Sequence, residues 1–258
     1  MILQLFRVAY QNQVSYAVLS EDRFLFVDPK NPQASAQSAH SAPASECKVL
    51  TPTQPSKIIG VGLNYLDHAK ERNKPVPKEP LLFLKPPSAL LAPGEPILLP
   101  KISKRVDPEG EFAVVIGRTA RKLTSESEGA GCIFGYSCFN DVTARDLQDL
   151  DVQFTRAKGF DSFAPYGPCI AIGIDPADLS IKTRVNGETR QDSRTSQLIF
   201  KPPFLVWYCS QIMTLLPGDV ISTGTPSGIA PLSSGDRVAI EIESVGTLEN
   251  PVQRGFPD

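Results

Sequence analysis

The chain has 258 residues, 41% of them hydrophobic, and its 26 Lys and Arg against 28 Asp and Glu give a formal net charge of −2. Both signs are interspersed, so nothing recommends nucleic acid or an acidic membrane as a partner, and no stretch approaches the roughly 18 apolar residues of a membrane helix. The length suits one large domain, or one domain with a small attachment.

Five cysteines (Cys47, Cys132, Cys138, Cys169, Cys209) are scattered without a C-x-x-C pair, which favours reduced thiols over a disulfide framework or a zinc site. The N-terminus lacks the charged start and long apolar core of a signal peptide, so a soluble cytoplasmic protein is expected. The 24 prolines and 18 glycines point to many short strands and loops rather than a helical bundle.

Residues 1–28 read as three short strands: one carrying Leu3, Leu5 and Val8, one over 14–19 and one over 24–27. Turns fall at 11–13 and 21–22. Residues 29–46, rich in Pro, Ser, Ala and Gln, read as a surface linker with His40 exposed on it. A small N-terminal β domain with its linker thus takes residues 1–50, and the main domain takes 51–258. The main domain opens with an apolar strand over 57–65 and a short helix over 66–71. His68 and Glu71, three apart, share a helical face. A carboxylate beside an imidazole fixes its tautomer and makes it a better base for activating water; a solvated surface pair is the alternative. Residues 72–80, rich in Lys and Pro, read as a lid over a site or a solvated loop. A strand over 81–85 runs into a proline corner, with Lys85 either in a cleft or snorkelling to solvent. A turn and a short edge strand follow over 92–100.

Asp107-Pro108-Glu109-Gly110-Glu111 then leads into a buried strand of Phe, Ala, Val, Val and Ile. Two glutamates two positions apart leave the same face if both lie on the strand. Burying both charges requires a positive partner, either an Arg or Lys or a hard cation that prefers oxygen ligands; an exposed strand end is the alternative. Further on, a strand ends near residue 139, and Asn140 or Asp141 is placed to cap a helix. Asp141, Arg145 and Gln148, spaced by four and three, would line one face of it, which suits holding a metal and an oxygen-rich anion together. Lys158 sits at a glycine turn. A buried strand spans 164–174, a hairpin turns at Asn186-Gly187 within 181–191, and a helix covers 205–216. The loop 223–228, with Thr225, offers hydroxyls and N–H groups to a carboxylate.

In order along the chain stand Gly62-Leu63-Asn64-Tyr65 with His68 and Glu71, Leu84-Lys85-Pro86, Glu109-Gly110-Glu111, Asp141 to Gln148, Lys158-Gly159 and Thr223 to Gly228. Together they resemble the fumarylacetoacetate hydrolase family. The resemblance implies a mixed β-rich α+β fold, a β-roll catalytic domain behind a small N-terminal β domain, assembled as a homodimer. By the same resemblance Glu109, Glu111 and Asp141 match the carboxylates that hold a divalent metal. His68 and Glu71 match the catalytic dyad. Arg145, Gln148, Lys158 and Thr225 match positions that hold or polarise substrate, and Lys85 joins them if it points into the cleft. An additional upstream aspartate found on the metal in some members has no counterpart here. Three hard ligands imply Mg²⁺ or Mn²⁺ rather than zinc. The implied activity is cleavage of a C–C bond in a 2-oxo or 2,4-dioxo acid of the acylpyruvate type through an enolate. Oxaloacetate decarboxylation and keto–enol isomerisation on the same site are the close alternatives, and a non-catalytic 2-oxo-acid-binding protein is the distant one.

Overall fold

The apolar run behind the two glutamates is strand Gly110–Ile116, buried at every position, as a strand covered on both faces must be. Phe112, Val114 and Ile116 point into one core, and Ala113 and Val115 into another on the opposite face. This is seen in a computed structural model that describes residues 2–32, 40–71, 73 and 75–255.

Around this strand a 12-stranded sheet is assembled, ten strands in one continuous order and two short ones, Lys48–Val49 and Leu90–Leu91, pairing off it. On one side lie, in order, Ile133–Asn140, Ala164–Ile172, Leu3–Tyr10, Gln13–Ser20, Arg23–Val27 and Ser41–Pro43. On the other side lie Val220–Ser222, Ile58–Gly62 and Leu81–Lys85. The three N-terminal strands form as expected, and the first pairs with Ala164–Ile172 from Leu3↔Ile172 to Leu5↔Ile170. Part of the stretch read as linker is ordered: Ser41–Pro43 adds to Arg23–Val27, because Leu25 to Arg23 would otherwise leave a bare sheet edge. His40 is exposed, as expected, and residues 33–39 of that stretch lie outside the described residues. So do Arg72 and Lys74 of the Lys/Pro-rich loop.

A second sheet of five strands runs Glu188–Arg194, Ser180–Val185, Arg237–Ile242, Gly246–Arg254, Ile97–Leu99. Its hairpin turns at Asn186-Gly187 with φ of 54° and 83°, the left-handed pair that a two-residue hairpin requires. The late helix spans Pro202–Ile212, earlier than 205–216, since proline suits the first helical turn. No helix begins at 140 or 141. Thr143–Ala144 instead pairs with Val106–Asp107, so helix Arg145–Leu150 starts only at Arg145 and excludes Asp141. Lys158 ends a short helix, Thr155–Lys158, rather than standing on a plain turn. All five cysteines are free. Among the described residues no helix is long and apolar enough to cross a membrane.

Strands Val220–Ser222 and Ile58–Gly62 are parallel, and Asp219 ties their entrances together. Its Oδ1 accepts from the backbone N–H and hydroxyl of Ser56 at 2.9 and 2.7 Å, and its Oδ2 from Leu216 N–H at 2.8 Å and from the Lys57 ammonium. Burial opposes its charge, but these donors outweigh burial and hold the carboxyl below its ordinary value. A depressed carboxyl stabilises the fold above the unfolded-state pKa and loses that contribution as pH falls through the native value. Asp219→Asn is expected to cost on the order of 2–3 kcal/mol at pH 7. The gap from the parent should narrow as pH drops below about 4, in denaturant unfolding curves taken across that range.

Candidate active site

Four strand ends meet at one end of the large sheet. Ile58–Gly62 and Val220–Ser222 arrive there by their C-termini, as does Ile133–Asn140, while antiparallel Gly110–Ile116 begins there. Glu109 lies one residue ahead of its strand and is fixed by two backbone contacts. Its N–H donates to Asn140 Oδ1 at 3.0 Å, and its carbonyl accepts from Asp141 N–H at 2.9 Å. Glu111 is on the strand; its Oε2 accepts from the Ser222 hydroxyl at 2.5 Å and from Gly224 N–H at 2.8 Å. Gly224 has φ of +97°, and a Cβ there would stand 2.8 Å from Asn64 Cβ, so only glycine serves at this turn. Ligand oxygens of Glu109, Glu111 and Asp141 all fall within 4.8 Å of one another, and all three residues are buried.

Cations surround this trio. Lys158 bonds Glu109 Oε2 at 2.8 Å and also Asp141 Oδ2. Lys85 bonds Asp141 Oδ1 at 2.5 Å and the Val142 carbonyl at 3.1 Å. Arg145 reaches Glu109 Oε1 with one nitrogen, Asp107 Oδ2 at 2.9 Å with another, and Gln148 Oε1 at 2.5 Å with the third. The result is asymmetric. Burial alone would raise the Glu109 carboxyl, yet Lys158 and Arg145 hold it well below the usual range. Burial pushes Glu111 up to about 8, and the charges of Asp141 and Glu109 add to the shift. Glu111 is thus the carboxylate whose charge the protein's own cations leave least compensated. The hard oxygen donor set and this deficit of positive charge fit a divalent cation.

Beyond the carboxylates, helix Leu66–Glu71 presents His68, whose Nδ1 is 2.8 Å from Glu71 Oε2. The other oxygen of Glu71 accepts from Gly228 N–H at 3.0 Å. A cavity of about 160 Å³ is lined by Glu109, Glu111, Asp141, Arg145, Gln148, Lys158, His68 and Thr225 together with apolar groups such as Phe83 and Phe154. The residues singled out from the sequence therefore converge on one place. Two of them stand behind the wall rather than in it: Glu71 supports His68, and Lys85 supports Asp141.

Residues 57–253 match the family described as fumarylacetoacetate (FAA) hydrolase C-terminal. The chain belongs to the fumarylacetoacetate hydrolase family. Among solved structures, it is similar to a 5-carboxymethyl-2-hydroxymuconate delta-isomerase from Mycobacterium smegmatis, with 42% identity and a TM-score of 0.89 over 99% of this chain and 100% of that one. It is also similar to a maleylpyruvate hydrolase from Sphingobium sp. SYK-6 in complex with manganese (II) ion and pyruvate, with 30% identity and a TM-score of 0.83 over 98% and 100% of the two chains. The mitochondrial oxaloacetate tautomerase fahd2 of Xenopus laevis is 41% identical over 226 residues, 83% of this chain and 70% of that protein. The β-rich fold with few helices is the one the family resemblance implies.

Several residues that build the site escape a sequence reading. Asp107 stands two positions before Glu109 and is fully buried between Arg145 and Arg105. Ser222, Gly224 and Asn64 act by contacts made across the fold. Asn64 bonds the Thr223 carbonyl at 2.7 Å and both polar groups of the Phe200 backbone. Only the Gly-Leu-Asn-Tyr motif hinted at Asn64.

Because burial and two neighbouring carboxylates already penalise the charge of Glu111, metal-free Glu111→Gln should unfold at a temperature no lower than the parent. The same variant should bind Mn²⁺ at least about tenfold more weakly in calorimetric titration. Parent-like Mn²⁺ binding would remove Glu111 from the ligand set.

Proposed function

We propose that the chain is a divalent-metal-dependent enzyme that cleaves a C–C bond in 2,4-dioxo acids of the acylpyruvate type. The carrying observation is the His68–Glu71 pair on the same cavity as three convergent carboxylates. Glu109, Glu111 and Asp141 would hold Mg²⁺ or Mn²⁺. When bound, the cation supplies Lewis-acid stabilisation of negative charge on the 2-oxo acid.

The protein's own groups supply the rest. With the proton on Nδ1 directed at Glu71, His68 keeps Nε2 free to take a proton from water, and Glu71 stabilises the imidazolium that results. Gly228 N–H holds Glu71 in that orientation. Lys158, Arg145 and Gln148 face the cavity as donors for developing oxyanion charge.

A second reading, oxaloacetate tautomerisation or decarboxylation on the same residues, is favoured by the likeness to the Xenopus oxaloacetate tautomerase. There His68 would move a proton between carbon and oxygen, and no water need attack. A silent oxo-acid-binding protein has no use for an oriented His68–Glu71 pair. Assembly as a homodimer belongs to the proposed reading and is checked by light scattering.

Product-resolved NMR with Mg²⁺, acetylpyruvate and oxaloacetate in parallel, and an EDTA control separates these readings. Acetate plus pyruvate is the expected outcome. Turnover of oxaloacetate alone would replace hydrolysis by the second reading. His68→Ala should lower turnover by about 10²–10⁴-fold and leave Mn²⁺ binding intact; retained turnover would sink its role as base. Glu109→Ala should lose activity and its Mg²⁺ dependence together.

A further inference from the structure

Strand Glu188–Arg194 contributes nothing to the cavity wall, yet two of its side chains lead to the two halves of the site. Gln191 and Ser193, two residues apart, leave the same face of the strand. Gln191 is buried. Its Oε1 accepts from Gly110 N–H at 3.0 Å and from the Thr183 hydroxyl at 2.7 Å, and its Nε2 donates to Thr225 Oγ1 at 2.8 Å and to the Pro226 carbonyl at 2.7 Å. An amide has two N–H donors and an oxygen with two lone pairs, so every position is used. The backbone partners fix which end is oxygen, since Gly110 N–H can only donate and the Pro226 carbonyl can only accept. Thr225 therefore receives a hydrogen bond from Gln191 and gives its own proton to the Gly110 carbonyl at 3.0 Å. A Cβ on Gly110 would stand 2.1 Å from Thr183 Oγ1, so the start of the carboxylate strand is pressed directly on this knot.

Ser193 serves the other half. Its hydroxyl donates to Asp67 Oδ2 at 2.6 Å, and Asp67 Oδ1 accepts from His68 N–H at 2.7 Å. Immediately before Gln191, the Arg190 carbonyl lies where a Cβ on Gly228 would be only 2.0 Å away, and Gly228 N–H is the group that holds Glu71.

We propose that Gln191 and Ser193 are positioning residues: Gln191 sets the Thr225 loop and the start of the Gly110 strand for substrate binding, and Ser193 sets the helix of His68 and Glu71 for proton transfer. One strand thereby fixes the spacing between the two halves. The inference rests on the function proposed above, and it requires that the two contacts act separately.

The full-length protein with Mn²⁺ is titrated with pyruvate by calorimetry, and kcat is measured on whichever of acetylpyruvate and oxaloacetate it turns over. The imidazole NMR signals are followed in parallel; with only two histidines in the chain, those of His68 are readily assigned. Ser193→Ala should lower kcat about three- to tenfold, leave pyruvate affinity unchanged and displace the His68 signals, and Ser193→Thr should restore kcat and the His68 signals. Gln191→Met should weaken pyruvate by about the same factor, more than it lowers kcat, with the His68 signals in place. If Gln191→Met does not fold, Thr183→Val loosens the same amide and should weaken pyruvate in the same sense. Equal losses of kcat and pyruvate affinity in both variants would overturn the proposal, as would unmoved His68 signals in Ser193→Ala. So would a Ser193→Thr variant that behaves like the alanine. A parent protein that neither binds pyruvate nor turns over would count against the proposed function instead. The His68 signals would then still decide whether Ser193 sets that helix.

Discussion

The site depends on one electrostatic problem, which is how to keep several carboxylates buried and close together. Lone carboxylates in such a place would protonate or force the fold open. Here Lys158, Lys85 and Arg145 each bond carboxylates directly, and Arg145 bridges Asp107 and Glu109. The compensation is deliberately uneven. Glu109 and Asp141 have ammonium partners, whereas Glu111 has a hydroxyl and a backbone N–H. Negative charge is thus gathered where an external cation can meet it, and the rest of the cluster stays internally balanced.

Geometry follows from where strands end. Regular pairing from Gly110 to Val115 delivers Glu111 at a defined height, and the neighbouring strands deliver their loops to the same level. The Thr223 to Gly228 loop is then held by Asn64 on one side and Gln191 on the other. His68 is carried on a helix of only six residues, too short to be stable alone. Its orientation comes from Asp67, Glu71 and their partners rather than from helical propensity.

Much of this was legible along the chain because it is local. The Phe112 to Ile116 run announces a strand, Asn186-Gly187 announces its hairpin, and His68 and Glu71 need only three residues of spacing to meet. What failed to read was non-local. Nothing near Asp141 shows that Thr143–Ala144 will pair with Val106–Asp107, so the local sequence reads as a helix start at Asn140 or Asp141, which that pairing displaces to Arg145. Asp107 looks like an ordinary residue before proline, and only the fold brings two guanidinium groups to it. Gln191 and Ser193 sit in a polar strand that reads like one arm of any exposed hairpin, and the partners that matter are far away in sequence.

The three-residue strand Val220–Ser222 lies between Gly110–Ile116 and Ile58–Gly62, and within the large sheet it is the link between them. Its partners belong to the first half of the chain, so the contacts it makes span very long loops. A growing polypeptide can pair Gly110–Ile116 with Ile133–Asn140 early, but the sheet joins Ile58–Gly62, the strand ahead of the His68 helix, to Gly110–Ile116 only once Val220–Ser222 has been made. Synthesis therefore runs most of its course before the continuous sheet can set His68 and the three carboxylates at one end of it.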